Sequence, residues 1–165
     1  MAPRAEFVLV SALLAALLLV VAFVTVVSGW QRLPQGDGLG NALKFAPVSA
    51  LAAGLAAWLA SAWHRRAQRA GRRWKAGGLA LRTLLIAFLL FPLLLAGWVL
   101  AATAADQWMT AQPEPWRDAL AWLPVIVFYG SAFAVVYGAV PAFLLEYFAC
   151  RRYLRRQAGT TTGQP

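Results

Sequence analysis

The stretch FVLVSALLAALLLVVAFVTVVSGW, residues 7–30, contains no charged side chain. At about 1.5 Å of rise per residue, a helix of this length exceeds the hydrocarbon core of a bilayer, roughly 30 Å thick. A cleaved leader would have an apolar core of only about 7–15 residues ending in a small-x-small site. VTVVSGW offers no such site, so the stretch is expected to persist as a membrane span.

Three further apolar stretches follow. APVSALAAGLAAWLASAW, residues 46–63, holds eight alanines in eighteen positions and has the weakest drive to insert. Its small residues recur four apart, at Ala46, Ala50 and Gly54 and again at Ala53, Ala57 and Ser61. That spacing lets helix backbones approach closely, so this helix is expected to pack among the others. LALRTLLIAFLLFPLLLAGWVLAATAA, residues 79–105, is strongly apolar, and Pro92 at its centre is expected to kink it. ALAWLPVIVFYGSAFAVVYGAVPAFLLEYFAC, residues 119–150, is longer than a bilayer requires, with Pro124 and Pro141 toward its two ends. Gly130, Ala134, Gly138 and Ala142 form a small-residue ridge along it. The apolar runs do not alternate as the strands of a membrane barrel must.

Composition agrees. Hydrophobic residues make up 61% of the 165 and charged ones 13%, against about 45–50% and 25% in soluble domains. The expected fold is therefore an all-α integral membrane protein, a compact bundle of four transmembrane helices in a single domain over residues 1–165. The connectors QRLPQGDGLGNALKF (31–45) and DQWMTAQPEPWRD (106–118) read as loops, and residues 157–165 as a disordered tail.

A formal net charge of +9 would suggest nucleic acid in a soluble protein, but in a membrane protein its placement matters more. The run HRRAQRAGRRWKAGG (64–78) carries Arg65, Arg66, Arg69, Arg72, Arg73 and Lys75. Four spans put that run beside both termini, with Arg4, Arg82, Arg151, Arg152, Arg155 and Arg156. This makes twelve basic residues against three (Arg32, Lys44 and Arg117) on the other side. The positive-inside rule then predicts cytoplasmic N and C termini. The 64–78 run and the four arginines at 151–156 are expected to lie on anionic lipid, at about 1 kcal/mol per basic residue near the surface. A nucleic-acid role would want aromatic stacking partners within a folded patch. Trp74 suits an interface anchor better, as do Trp30, Trp63, Trp108, Trp116 and Trp122. Trp58 and Trp98 lie deeper and read as packing residues. The wealth of Arg, Ala and Leu fits a GC-rich bacterial genome, and hence a bacterial inner membrane.

Chemistry-bearing residues are sparse. One histidine, His64, cannot make a bis-histidine haem site, and one cysteine, Cys150, cannot make a disulfide within the chain. No zinc ligand set is present, so no cofactor is expected. His64 reads as solvated beside Arg65 and Arg66, and Cys150 as a bystander at the interface. GDGLGN (36–41) lacks the strand and helix start of a phosphate loop and reads as a flexible outer turn. Of the polar residues in the spans, Ser and Thr are expected to bond their own helix or a neighbour, while Tyr129, Ser131 and Tyr137 could line a cavity. Arg82 and Glu146 fall at similar depth near span ends, and are expected either to snorkel separately or to pair across the third and fourth helices.

These readings point to a non-catalytic membrane protein that binds another membrane component, whether lipid, a second membrane protein or itself. It would be an accessory or assembly subunit, or an immunity protein against a membrane-active toxin. In span count, size and termini the chain is similar to the four-span immunity proteins against pore-forming bacteriocins, although no sequence motif carries that likeness. The alternative is a small oligomeric transporter or channel subunit for a lipid or neutral solute. The lack of a charge at mid-membrane counts against ion coupling.

Overall fold

In a computed structural model, residues 3–30, 35–72, 74–110 and 116–161 are described. Among them the chain is all-helical. Helix α1 spans Pro3–Trp30, α2 Gln35–Arg69, α3 Ala76–Thr110 and α4 Trp116–Thr161. Each is long and apolar enough to cross a membrane, as the spans of a multi-pass membrane protein must be.

Two expected boundaries move. Helix α2 begins at Gln35, so GDGLGN lies on its first turns and is not a free turn. Glycine disfavours helix by about 1 kcal/mol, but tertiary contact overrides propensity: Ala42, one turn further on, is completely buried. Helix α4 continues to Thr161, through the basic segment and over the first five residues of the tail expected to be disordered from 157. The helices also run on through Pro47, Pro92, Pro124 and Pro141. Each proline removes one backbone hydrogen bond, a loss that neighbouring helices make tolerable in apolar surroundings.

The α2–α3 connection shows how the polybasic run reverses the chain. Gly71 takes φ +74°, a left-handed conformation that costs glycine little. The Arg72 amide donates to the Ala67 carbonyl (2.9 Å) and the Gly71 amide to that of Gln68 (3.0 Å). This is the paired bonding of a Schellman cap, and it satisfies two of α2's last carbonyls.

Around the bundle α1 packs on α2 and α4, and α3 packs on α2 and α4; among the described residues the backbones of the diagonal pairs do not come close, although the His64 ring of α2 meets that of Tyr153 on α4 across one diagonal. Two apolar clusters close the interior. The first joins Phe7, Ala57, Ala60, Leu79, Ala80, Ala149, Cys150 and Tyr153, with the Phe7 and Tyr153 rings stacked at 4.9 Å. The second, further along the helices, joins Val48, Ala52, Phe91 and Leu95. Outward side chains such as Leu89, Leu93, Val136 and Val140 are at least 70% exposed, as suits a surface solvated by lipid.

Candidate functional site

Between the two clusters the ring of helices leaves a cavity of about 120 Å³, half open to the outside. All four helices line it, mostly with small or apolar side chains: Ala15 and Ala22 of α1, Ala52 and Ala53 of α2, Phe88 and Phe91 of α3, and Ala134 of α4. Bulkier residues at the alanines would fill it, yet the chain keeps them small.

The polar end of the cavity is built from Ser11, Thr83 and Glu146. Glu146 is only 8% exposed. Its Oε1 accepts a hydrogen bond from the Ser11 hydroxyl at 3.1 Å and lies 3.9 Å from the Cys150 thiol. Both contacts fall on Oε1; among the described residues no partner engages Oε2. Thr83 donates to the Leu79 carbonyl of its own helix (3.0 Å), as Ser49, Ser61, Thr25 and Thr103 do to carbonyls of theirs. Ser11 therefore stands apart, since it ties α1 to α4.

The expected Arg82–Glu146 pair is not made. Thr83 is buried against the bundle, and at about 100° per residue that swings Arg82 outward. The Arg82 guanidinium sits 3.7 Å from the centre of the Trp74 ring, a cation–π contact that anchors the α2–α3 connection. Similar depth was legible in the sequence, but helix rotation was not.

The four-residue ridge on α4 also divides. A Cβ built on Gly130 would come within 2.7 Å of Leu95 Cδ2, so Gly130 is a true helix–helix contact. Ala134, Gly138 and Ala142 instead line the cavity, and a Cβ on Gly138 meets nothing within 4 Å. On α2, Gly54 packs as expected: its added Cβ would lie 3.6 Å from Ala12 and 3.8 Å from Val8 of α1, with partly buried Ala50 one turn away. Tyr129 and Tyr137 face outward, and none of Tyr129, Ser131 and Tyr137 borders the cavity.

Beyond the first cluster lies the basic end. His64 is 1% exposed, not solvated as its sequence neighbours suggested, and it packs beside Trp74 and Tyr153. Neither of its ring nitrogens has a hydrogen-bond partner among the described residues. An unsatisfied buried polar group costs about 1–3 kcal/mol. His64→Leu is therefore expected to raise the thermal unfolding midpoint in detergent, and a lower midpoint would show that the nitrogens are in use. Cys150 is likewise completely buried rather than interfacial.

Arg4 hydrogen-bonds the Ser61 hydroxyl (3.1 Å) and the Trp58 carbonyl (3.3 Å) and lies over the Trp58 ring, which is half exposed rather than packed inside. Trp98 packs against the second cluster, as its depth suggested. Glu6, which the charge pattern did not single out, accepts from Arg152 at 2.7 Å and also from Arg156. Both arginines are more than half exposed, so the pairs stabilise little, but they fix α1 to the C-terminal part of α4.

Arg65, Arg66, Arg69, Arg72, Lys75, Arg151 and Arg155 are all exposed at this end. Arg73 lies outside the described residues, as do Arg32 and Glu114 and the side chains of Trp30, Trp116, Asp37 and Arg117. Trp63, Trp108 and Trp122 are exposed.

Among the described residues, fold and site thus define four helices long and apolar enough to span a membrane, an apolar cavity between them, and one buried carboxyl group on its wall. No protein-family model matches the chain, and neither a curated protein nor a solved structure does.

Proposed function

We propose that this is a non-catalytic protein of the bacterial inner membrane, with both termini cytoplasmic, that works by binding another membrane component. The observation that carries the reading is the cavity: all four helices line it, mostly with small or apolar side chains, and Glu146, whose Oε2 has no partner among the described residues, borders it. A ligand that occupies such a cavity only in the folded state stabilises that state. Among the described residues no three His, Cys, Asp or Glu side chains gather as a metal site. The basic end of the bundle supports the orientation, since that end would lie on the anionic cytoplasmic leaflet.

Extraction in a lipid-preserving polymer, followed by native mass spectrometry, tests the reading. The expected result is a component bound at fixed stoichiometry, whether a lipid, a second membrane protein or a second copy of this chain. A bare monomer would overturn it. Reporters inserted in the three connectors and at the C-terminus should read outside, inside, outside and inside in turn. A periplasmic C-terminus would overturn the orientation.

The void also favours a second reading, a transporter or channel subunit for a lipid or neutral solute. Flux of such a solute into proteoliposomes, abolished when the cavity is filled, would select it.

A further inference from the structure

We infer that the cavity holds the hydrocarbon chain of a single-chain amphiphile with a hydroxyl head, and that the hydroxyl rests on Glu146 Oε2. The inference depends on the binding reading above and specifies the chemical class bound.

Size limits the occupant first. A cavity of about 120 Å³ is of the same order as an engineered apolar cavity of ~150 Å³ that admits benzene. One alkyl chain segment fits, but the paired chains of a diacyl lipid do not. The shape is elongated: its lining on α4 runs from Glu146 to Phe133, about 20 Å at the helical rise. Below Ser11, Thr83 and Glu146 the only hydroxyl on the wall is that of Ser49, which already donates to the Ala46 carbonyl. A tail placed there needs no polar group.

The head is chosen by Glu146. Glu146 is only 8% exposed, with Oε1 engaged by Ser11 and Oε2 without a partner among the described residues. A carboxyl oxygen that opens on an apolar cavity is short of hydrogen bonds, and a ligand group that pairs it supplies one. An anionic head would face the one acidic side chain of the wall. A cationic head would have to pass Arg4, Arg82, Arg151 and Arg152 at the basic end. A hydroxyl meets neither obstacle, and it can donate to a carboxylate or accept from a carboxylic acid. Head toward the basic end and tail toward the bilayer middle is also how a leaflet lipid lies.

The test uses the full chain in phosphatidylcholine nanodiscs with dodecanol carrying a diazirine at mid-chain. After irradiation, label is expected on Ala87, Phe88 or Ala134 of the wall, and excess plain dodecanol should suppress it. Gly138→Leu should reduce wall labelling by roughly tenfold, because its side chain occupies the same space. Glu146→Gln, whose amide still bonds a hydroxyl, should retain labelling, whereas Glu146→Leu should lose it. If Glu146→Leu does not fold, Gly138→Leu and Glu146→Gln still decide. Label confined to outward Leu85, Leu89 and Leu93, or unchanged by Gly138→Leu, would overturn the inference. Native mass spectrometry of the same nanodiscs separates the two failures. A bound component of other chemistry without wall labelling overturns only the hydroxyl-headed ligand, while a bare monomer overturns the binding reading as well.

Discussion

Ala57→Leu is expected to lower stability by about 1–3 kcal/mol and to cut the yield of folded protein. Ala57 has no exposed surface and lies in the first cluster, among Phe7, Leu79 and Cys150. Three further carbon atoms there must displace Phe7 from its stack on Tyr153 or push α2 away from its neighbours. Neither movement is cheap, because a close-packed interior transmits strain instead of absorbing it. Leu51→Ala serves as the control, since Leu51 is 53% exposed and its loss leaves no internal void. Thermal unfolding in mild detergent measures both. Equal midpoints for the two variants would mean that α2 is loosely held and that the first cluster does not order the bundle.

The second large effect is a contrast of sign between two glycines on one face of α4. Gly130→Leu should destabilise by about 1–3 kcal/mol, because even a Cβ there would crowd Leu95 Cδ2, and Leu95, only 3% exposed, would have to repack within the second cluster. Gly138→Leu should stabilise by about 1 kcal/mol, because a Cβ there meets open space and glycine is a poor helix former. Unfolding midpoints measured side by side check the prediction. If both fall, the cavity is not where α4 places it; if neither moves, the ridge faces lipid along its whole length.

The helices were legible because apolar length is a direct reading of bilayer thickness, and four such runs leave little else for the chain to do. Their ends were less so: Gly36 to Asn41 reads as a loop by propensity, and only the burial of Ala42 shows why helix persists. Charge and depth were legible too, but azimuth was not. Arg82 and Glu146 were matched by height, whereas contact depends on which way each helix is turned. A better signal was present in α4. Glu146 continues the line of Ala142, Gly138, Ala134 and Gly130, one residue in four, so the acid shares a face with the ridge. An ionisable residue in register with a small-residue stripe marks the inside of a bundle more firmly than depth does. His64 and Cys150 were misjudged for a related reason, since adjacent arginines describe the chain's neighbourhood and not the side chain's direction.

The helix backbones approach one another only around the ring, and between the two packed clusters the interior is a cavity rather than packed atoms. Such a molecule has somewhere to shrink. Hydrostatic pressure favours whichever state eliminates internal voids, and the volume lost on unfolding scales with them. An unliganded bundle is thus compressible across its diagonals in a way that a filled one is not. Occupancy of the cavity would then set not only how firmly the four helices hold together but how much they yield when the surrounding bilayer squeezes them.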